Sequence, residues 1–195
     1  MRLVAFLTLL SYFALPCIAS SAVSDFDSLL TESELVFSKP EKFEDLPAGS
    51  NAVMNYEKAV RSPDRTLEIR FAVRPINRMT IDYIDPHGAV PDPNHIFPLV
   101  FESLVSRLSA GSYSPSREYS VDDAQKYFNA DWAAAAVFDT SPEFNTDVSQ
   151  GFALALHRSK VSDAYLIFLF DDYSRIKPLM DRAMTSLVCT AAENQ

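Results

Sequence analysis

The stretch Tyr165-Leu166-Ile167-Phe168-Leu169-Phe170 is apolar at every position, and it decides the fold class. Side chains of a strand point alternately to opposite faces of the sheet, so a strand with this pattern has to be covered on both sides. The sequence therefore predicts a central strand here, in a sheet that carries packed layers on both faces. It also predicts that Leu169 is among the most buried residues of the protein.

Working outward from this run, strict alternation predicts a second strand at 67–74. Its apolar positions alternate with polar or small ones, which gives the strand one apolar and one polar face. Shorter strands are predicted at 35–37 and 52–56. The alanine-rich stretch 131–139 is compatible with a helix, but Val137-Phe138 favour a strand. A further strand is predicted from Gly151 to His157, with His157 exposed.

Three segments have helical spacing of their apolar residues. The first covers about 97–110, with Gly111 as its left-handed cap; Ser120 is predicted to cap the second. The third has an apolar stripe over 176–188 that carries Cys189 at its end. The order is strands, helix, short helix, strands, helix. We therefore predict an α+β fold, an antiparallel β-sheet packed with helices in an α/β/α-type sandwich.

The first residues predict the destination of the protein. A lone charge at Arg2 precedes an apolar stretch over 3–15, and the small residues Ser20-Ser21-Ala22 follow. This pattern is typical of a secretory signal peptide cleaved after Ala22, and it predicts a periplasmic or secreted protein. Two alternatives stay open: an uncleaved membrane anchor and a lipid-modified Cys17.

Composition divides the whole chain into four segments. Residues 1–22 are the predicted signal peptide, 23–34 a flexible and acidic mature N-terminus, 35–190 a single α+β domain, and 191–195 a C-terminal tail. This division predicts a protein without stable membrane insertion after cleavage.

Charge and glycine content exclude several classes of function. The chain has 17 basic and 26 acidic residues, so its net charge of −9 disfavours nucleic acid as a partner. Its four glycines are far apart, whereas a phosphate-binding loop or a dinucleotide-binding turn needs them clustered. Cys189 is left alone after cleavage, so we expect no intramolecular disulfide and a buried, inert thiol.

Acidic and imidazole side chains are dense in the Pro-rich loop at 82–98. Asp82, Asp85, His87 and His95 are candidate ligands for a divalent metal, and such a site with a bound water would support a metal-assisted hydrolase. The alternative is structural, since Asp-Pro and Pro-Asp pairs are common turn formers. Apart from that metal, no cofactor is predicted. In either case this loop is the first place to look for function.

Arginines concentrate around the strand at 67–74. Arg70 and Arg74 are four positions apart and share its polar face, with Arg61, Arg65 and Arg78 near them in sequence. Such a group favours a patch that binds an anion or a protein partner. The alternative is a solvated strand face on which Glu68 lies among the arginines.

The motif Phe37-Ser38-Lys39-Pro40-Glu41-Lys42-Phe43, which follows a short strand, resembles the opening of a known family. That family groups proteins similar to the PsbP subunit of the oxygen-evolving complex, the nuclear-transport factor Mog1 and bacterial DcrB-type exported proteins. The order of helices and strands is similar over most of the mature chain. The resemblance implies the family's fold and an accessory or binding role, and it transfers no catalytic residue.

Together these features predict an exported, non-catalytic accessory or binding protein of the bacterial cell envelope, with an envelope or secreted protein as its partner. One alternative is the metal-assisted hydrolase that uses the 82–98 loop. Another is a partner-binding or inhibitory module that uses the arginine-rich strand face.

Overall fold

The computed structural model describes residues 22–50, 52–79 and 91–191. The α-helices in these ranges are α1 (Ala22–Glu32), α2 (Pro93–Leu108), α3 (Val121–Phe128) and α4 (Tyr173–Ala183). The strands are β1 (Leu35–Phe37), β2 (Glu44–Leu46), β3 (Gly49–Ser50), β4 (Asn55–Tyr56), β5 (Lys58–Arg61), β6 (Glu68–Pro75), β7 (Ser109–Tyr113), β8 (Arg117–Glu118), β9 (Trp132–Thr140), β10 (Gln150–Arg158), β11 (Ser162–Phe170) and β12 (Leu187–Cys189). A 3-10 turn over Ile76–Arg78 follows β6.

The main sheet is antiparallel, with the strand order β2-β5-β6-β11-β10-β9-β7, and β8 also pairs with β9. Strand β11 is central: it pairs along its length with β6 on one side and β10 on the other. All nine residues of β11 are buried, and Leu169 is 1% exposed. Both predictions made from the apolar run are therefore confirmed.

Helices cover the main sheet on both faces. Helices α1, α3 and α4 pack on one face, where Phe128 and Ile176 join a core with Leu166 and Phe168 of β11. Helix α2 packs on the other face, where Phe101 joins a second core. The α+β class and its layered sandwich, which follow from the need to cover an apolar strand on both sides, are confirmed.

Small residues on β9 and β10 let α2 approach the sheet closely. Ala134 and Ala136 of β9 and Ala153 and Ala155 of β10 all belong to the core on the α2 face. Their short side chains leave room for the large side chains of the helix, in keeping with the dense packing of protein interiors. The prediction of a strand for the alanine-rich stretch is confirmed, because cross-strand pairing and this packing outweigh the helix propensity of alanine.

The N-terminal segment differs from its prediction. Residues 23–34 were expected to be flexible, but helix α1 occupies most of this segment, and Phe26 and Leu29 are 4% and 7% exposed within the core. The ring of Phe26 meets that of Phe37 edge-on at 5.4 Å. The acidic residues of this segment suggest exposure to solvent. The apolar positions 26, 29 and 30, however, lie on one helical face and make α1 amphipathic.

The C-terminal helix is shorter than predicted. Helix α4 ends at Ala183, and β12 follows in an antiparallel pair with β1. Cys189 therefore lies on a strand instead of a helix, and it is 1% exposed. Burial raises the pKa of its thiol to about 11, which keeps it protonated near neutral pH.

Helix α2 begins earlier than its apolar stripe predicts. The Asp92 side chain accepts a hydrogen bond from the Asn94 backbone N–H, which is N-capping, and Pro93 occupies the first helical position. The helix ends at Leu108, so Gly111 is not its cap; Gly111 has a φ of +88° within β7. Within the described ranges, no helix is both long and apolar enough to cross a membrane.

Candidate functional site

A groove lies beside α2 on its face of the main sheet. One stripe of α2, formed by Phe101, Val105 and Leu108, is fully buried against the sheet. The neighbouring stripe lines a cavity of about 460 Å³. The cavity walls are formed by Val53, Met54, Asn55, Arg74, Met79, Leu99, Val100, Ser103, Leu104, Arg107 and Tyr165. We call this cavity the α2 groove.

Helical periodicity explains which residues of α2 line the groove. Positions 99, 100, 103, 104 and 107 recur at intervals of three and four, so they share one side of the helix. Leu99 lies at the side of the groove and is 71% exposed, which is an unusually high exposure for a large apolar side chain. The N-terminal end of α2 is held in place by Asn94, whose side-chain oxygen accepts a hydrogen bond from the Lys160 backbone N–H.

Among the described residues, the lining of the groove has positive but no negative side chains. Arg74 donates to Glu57 Oε1 at 2.8 Å and to the Asn55 carbonyl at 2.6 Å, so its charge is balanced locally. Arg107 donates to the Ala52 carbonyl at 2.9 Å, and no acidic side chain of the described residues forms an ion pair with it. Of the two arginines in the lining, Arg107 is therefore the one without an ion-pair partner among the described residues.

The Tyr165 side chain forms part of the groove wall, but its hydroxyl oxygen is buried. Its side chain comes from the central strand β11 and is 5% exposed, and its hydroxyl lies near the Asp163 carboxylate without a hydrogen bond of normal geometry to any described residue. Burial, followed by the nearby Asp163 carboxylate, raises the pKa of Tyr165 far above its ordinary value. The hydroxyl therefore stays protonated and can donate a hydrogen bond.

A buried histidine–aspartate pair lies near the N-terminal end of α2. His157 Nδ1 is 2.7 Å from Asp163 Oδ1, and both residues are 2% exposed. The ring of Phe97 stacks on the imidazole with 3.7 Å between centroids. His157 Nε2 and Asp163 Oδ2 have no partner among the described residues.

The sequence prediction that His157 is exposed is wrong. The strand pairing that places His157 opposite Asp163 follows from the short turn between β10 and β11. Counting outward from that turn would have found the pair, because directly opposed residues of a hairpin share a face. An imidazole held by a carboxylate is a common general-base arrangement.

The predicted metal site lies largely outside the described residues. Asp82, Asp85 and His87 belong to the segment 80–90, which the structure does not describe. The side chain of His95 is 76% exposed, and its Nδ1 lies 3.3 Å from Oδ2 of Asp92, the cap of α2. In the described part of the chain, no three His, Cys, Asp or Glu side chains come together as potential metal ligands. The metal site stays a prediction.

The predicted arginine patch is engaged within the fold. Arg70 is 9% exposed and donates to Glu68 at 2.8 Å, and its guanidinium lies 5.0 Å from the ring centres of both Tyr56 and Phe144. The β3–β4 hairpin and the 141–149 loop supply these rings and cover the polar face of β6. Since Arg74 is paired with Glu57, a partner-binding role for Arg70 and Arg74 stays a prediction.

Comparison with known proteins gives a structural likeness but no family. No family model matches the chain, and no curated protein matches it significantly in sequence. The solution structure of cyanobacterial PsbP (CyanoP) from Synechocystis sp. PCC 6803 is similar, with a TM-score of 0.45 and 12% sequence identity, over 82% of this chain and 88% of that chain. At this level of similarity it transfers neither a site residue nor an activity, and the resemblance to Mog1 and DcrB-type proteins stays a prediction.

Proposed function

We propose that this protein is an exported, non-catalytic binding protein of the bacterial cell envelope, and that the α2 groove holds one small, mostly apolar molecule. The observation that carries the proposal is the groove itself. Its volume of about 460 Å³ lies in the range of small-molecule sites, and its walls are mainly aliphatic. The exposed Leu99 at its side is an apolar surface that a bound molecule would cover.

The arrangement of polar groups favours binding over catalysis. The polar groups of the lining are two guanidiniums, one hydroxyl from Ser103, the Tyr165 phenol and an amide. A few polar groups in an apolar cavity fix the orientation of a ligand. The hydrolase hypothesis depends on Asp82, Asp85 and His87, and the partner hypothesis depends on arginines that already have internal contacts, so both receive less support.

Titration with N-phenyl-1-naphthylamine, a neutral apolar fluorophore, tests the proposal. Its fluorescence should rise on binding to the wild-type protein. Ser103 lines the groove and is exposed, so Ser103→Trp should fill the groove with little cost to folding and abolish the rise. Ser106→Trp is the matched control, since Ser106 is an exposed serine of the same helix that does not line the groove.

Two results would overturn the proposal. One is no fluorescence change with the wild-type protein; the other is an equal loss in both tryptophan variants. Circular dichroism of each variant checks that the fold is retained.

Export is tested separately. N-terminal sequencing of the protein from an envelope fraction should find Val23 as the first residue, because the small residues that end at Ala22 fit a signal-peptidase site. An intact Met1 in a membrane fraction would contradict cleavage.

A further inference from the structure

We infer that the β3–β4 hairpin is a flap that opens and closes the α2 groove, and that Arg107 latches the flap in its closed position. The flap consists of residues 49–50 and 52–56. This inference rests on the proposed function, and it specifies how a molecule enters and leaves the groove.

The flap is the outer part of a longer hairpin. Strands β2 and β5 pair as far as Leu46 opposite Ala59. Gly49 lies opposite Tyr56, three positions further along each strand, so the flap continues the same register. It nevertheless forms a two-stranded sheet of its own, whereas β2 and β5 belong to the main sheet. The hairpin is therefore divided into a base that is fixed in the main sheet and an outer part that is not.

The division lies at Pro47 on one strand and at Glu57 on the other, and both positions are outside the strands. Pro47 has no backbone N–H, so it cannot donate to a ladder. The backbone N–H of Glu57 donates to the Phe71 carbonyl of β6 at 3.0 Å, which ties the base to the main sheet. A few residues at the end of an element are enough to absorb the backbone rotation of a hinge. This break in the ladder is therefore the hinge of the flap.

The flap forms one wall of the α2 groove. Its residues Val53 and Met54 line the groove, and they are 8% and 7% exposed within the core on the α2 face. The facing wall is α2 itself, with Val100 and Leu104 among its lining residues. Because one wall is the flap, a movement about the hinge widens or narrows the groove.

A hydrogen bond between the two walls holds the flap closed. Arg107 of α2 donates from Nη2 to the Ala52 carbonyl of the flap at 2.9 Å. Arg74 of β6 donates to the Asn55 carbonyl at 2.6 Å, but it is also paired with Glu57 and so acts at the base. Both hydrogen bonds are exposed, and water replaces a partner of such a bond at a small net cost in free energy. Arg107 is therefore a reversible latch and a positioning residue for the wall that faces it.

Contacts within the flap and at its base favour movement as one body. A β-carbon at position 49 would lie 2.6 Å from the Tyr56 hydroxyl oxygen, so the Tyr56 side chain lies across Gly49. The Arg70 guanidinium of β6 lies 5.0 Å from the centre of the Tyr56 ring. Tyr56 directly precedes Glu57, so this contact stays close to the hinge while the Ala52 end of the flap moves.

Stopped-flow fluorescence with N-phenyl-1-naphthylamine at neutral pH measures how fast a molecule enters and leaves the groove. Arg107→Met removes the donors of the latch and keeps a long, unbranched side chain. The open fraction then rises both with and without the probe. Both the association and the dissociation rate constant should therefore rise about threefold or more, while Kd changes by less than about twofold. A fixed lining residue would instead change Kd, mainly through the dissociation rate constant.

Arg182→Met is the matched control. Arg182 is an exposed arginine in the last turn of α4 and does not line the groove, so this variant should keep both wild-type rate constants.

A covalent latch tests the opposite direction. Ala52→Cys and Arg107→Cys replace two exposed residues, and a short bismaleimide then takes the place of the arginine side chain as the bridge between them. The mature protein predicted above lacks Cys17, and Cys189 is buried, so the introduced thiols react selectively. The crosslinked protein should take up and release the probe at least about tenfold more slowly than the same variant capped with N-ethylmaleimide.

Hydrogen exchange measured by mass spectrometry gives a readout that needs no ligand. In Arg107→Met, the backbone N–H groups of residues 52–56 should exchange about threefold faster than in the wild type, whereas those of β11 should be unchanged.

The inference and the proposed function fail in different ways. If the crosslinked and the capped protein release the probe at the same rate, the flap is a fixed wall and the inference is overturned, while the groove remains a binding site. Equal rate constants for Arg107→Met and Arg182→Met would overturn it as well. If the probe does not bind to the wild-type protein at all, the proposed function falls. Hydrogen exchange then decides on the flap, because unchanged exchange over 52–56 in Arg107→Met refutes the latch.

Discussion

Replacing Gly151 by alanine should destabilise the protein, because an aromatic ring occupies the place of the missing side chain. Gly151 of β10 pairs with Phe138 of β9, and the ring of Phe138 lies over the glycine. A β-carbon at position 151 would lie 2.3 Å from the ring Cζ and 2.5 Å from Cε2 of Phe138. Normal carbon–carbon contacts are about 3.5–4.0 Å, so the ring has to move by more than about 1 Å.

Two opposing free-energy terms set the size of the destabilisation by Gly151→Ala. Alanine in a strand is more favourable than glycine by about 0.5–1 kcal/mol, because glycine loses more backbone freedom on folding. Overpacking of a core costs about 1–3 kcal/mol. Phe138 is 2% exposed and packs against Phe144, so its ring cannot swing away into solvent. The clash therefore wins, and we expect Gly151→Ala to lose about 1–2 kcal/mol of unfolding free energy.

Urea unfolding followed by circular dichroism measures the effect. With a denaturant dependence of about 2 kcal/mol per molar urea, the midpoint should fall by about 0.5–1 M. Phe138→Leu tests the cause, because a smaller side chain removes the clash. The loss in the double variant should be smaller than the sum of the single losses by at least about 0.5 kcal/mol. A raised midpoint for Gly151→Ala, or strict additivity with Phe138→Leu, would refute the reasoning.

Three further predictions concern Leu169 of the core beneath α2, the buried His157–Asp163 pair and the Cys189 thiol. Leu169→Ala should cost about 2–5 kcal/mol, because it leaves a cavity beneath α2; an unchanged urea midpoint would contradict the packing of β11. His157→Ala should cost about 3 kcal/mol of unfolding free energy, because it leaves Asp163 buried without its imidazole partner. The control is His95→Ala, which removes an exposed histidine; an equally small loss of unfolding free energy in both variants would contradict this account. Cys189 should resist a thiol reagent at pH 8 in the native protein and react promptly in denaturant, since burial raises its pKa to about 11; fast native reaction would contradict its burial.

The sequence predicts the elements whose periodicity is strong. The apolar run of β11 predicts its central place in the sheet, because a strand that is apolar on both faces has to be covered on both sides, and the alternation at 67–74 predicts strand β6. The end of the chain was harder to predict. Apolar residues continue at helical spacing past Ala183, but the chain leaves the helix there and forms β12, which pairs with β1. A partner so far away in sequence leaves no local signal.

The candidate site could be predicted only in part. His157 follows an alternating strand pattern and carries a polar ring, so burial is the less frequent outcome for it; the facing Asp163 and the ring of Phe97 make burial favourable. The polar face of β6 is covered by aromatic rings from segments distant in sequence, as at Arg70. The α2 groove depends on the lateral position of a helix on a sheet, which amphipathic spacing does not determine.

The pairing of β1 with β12 has a consequence for the order of folding. It joins Leu35–Phe37 to Leu187–Cys189 across roughly 150 residues, and the backbone N–H of Thr190 donates to the Glu34 carbonyl beside it. Contacts of such long sequence separation form late, because the intervening chain has to be organised first. A growing chain therefore cannot complete the core beneath α1 until its β12 residues have been synthesised. A chain that has to cross a membrane unfolded would gain time from this delay.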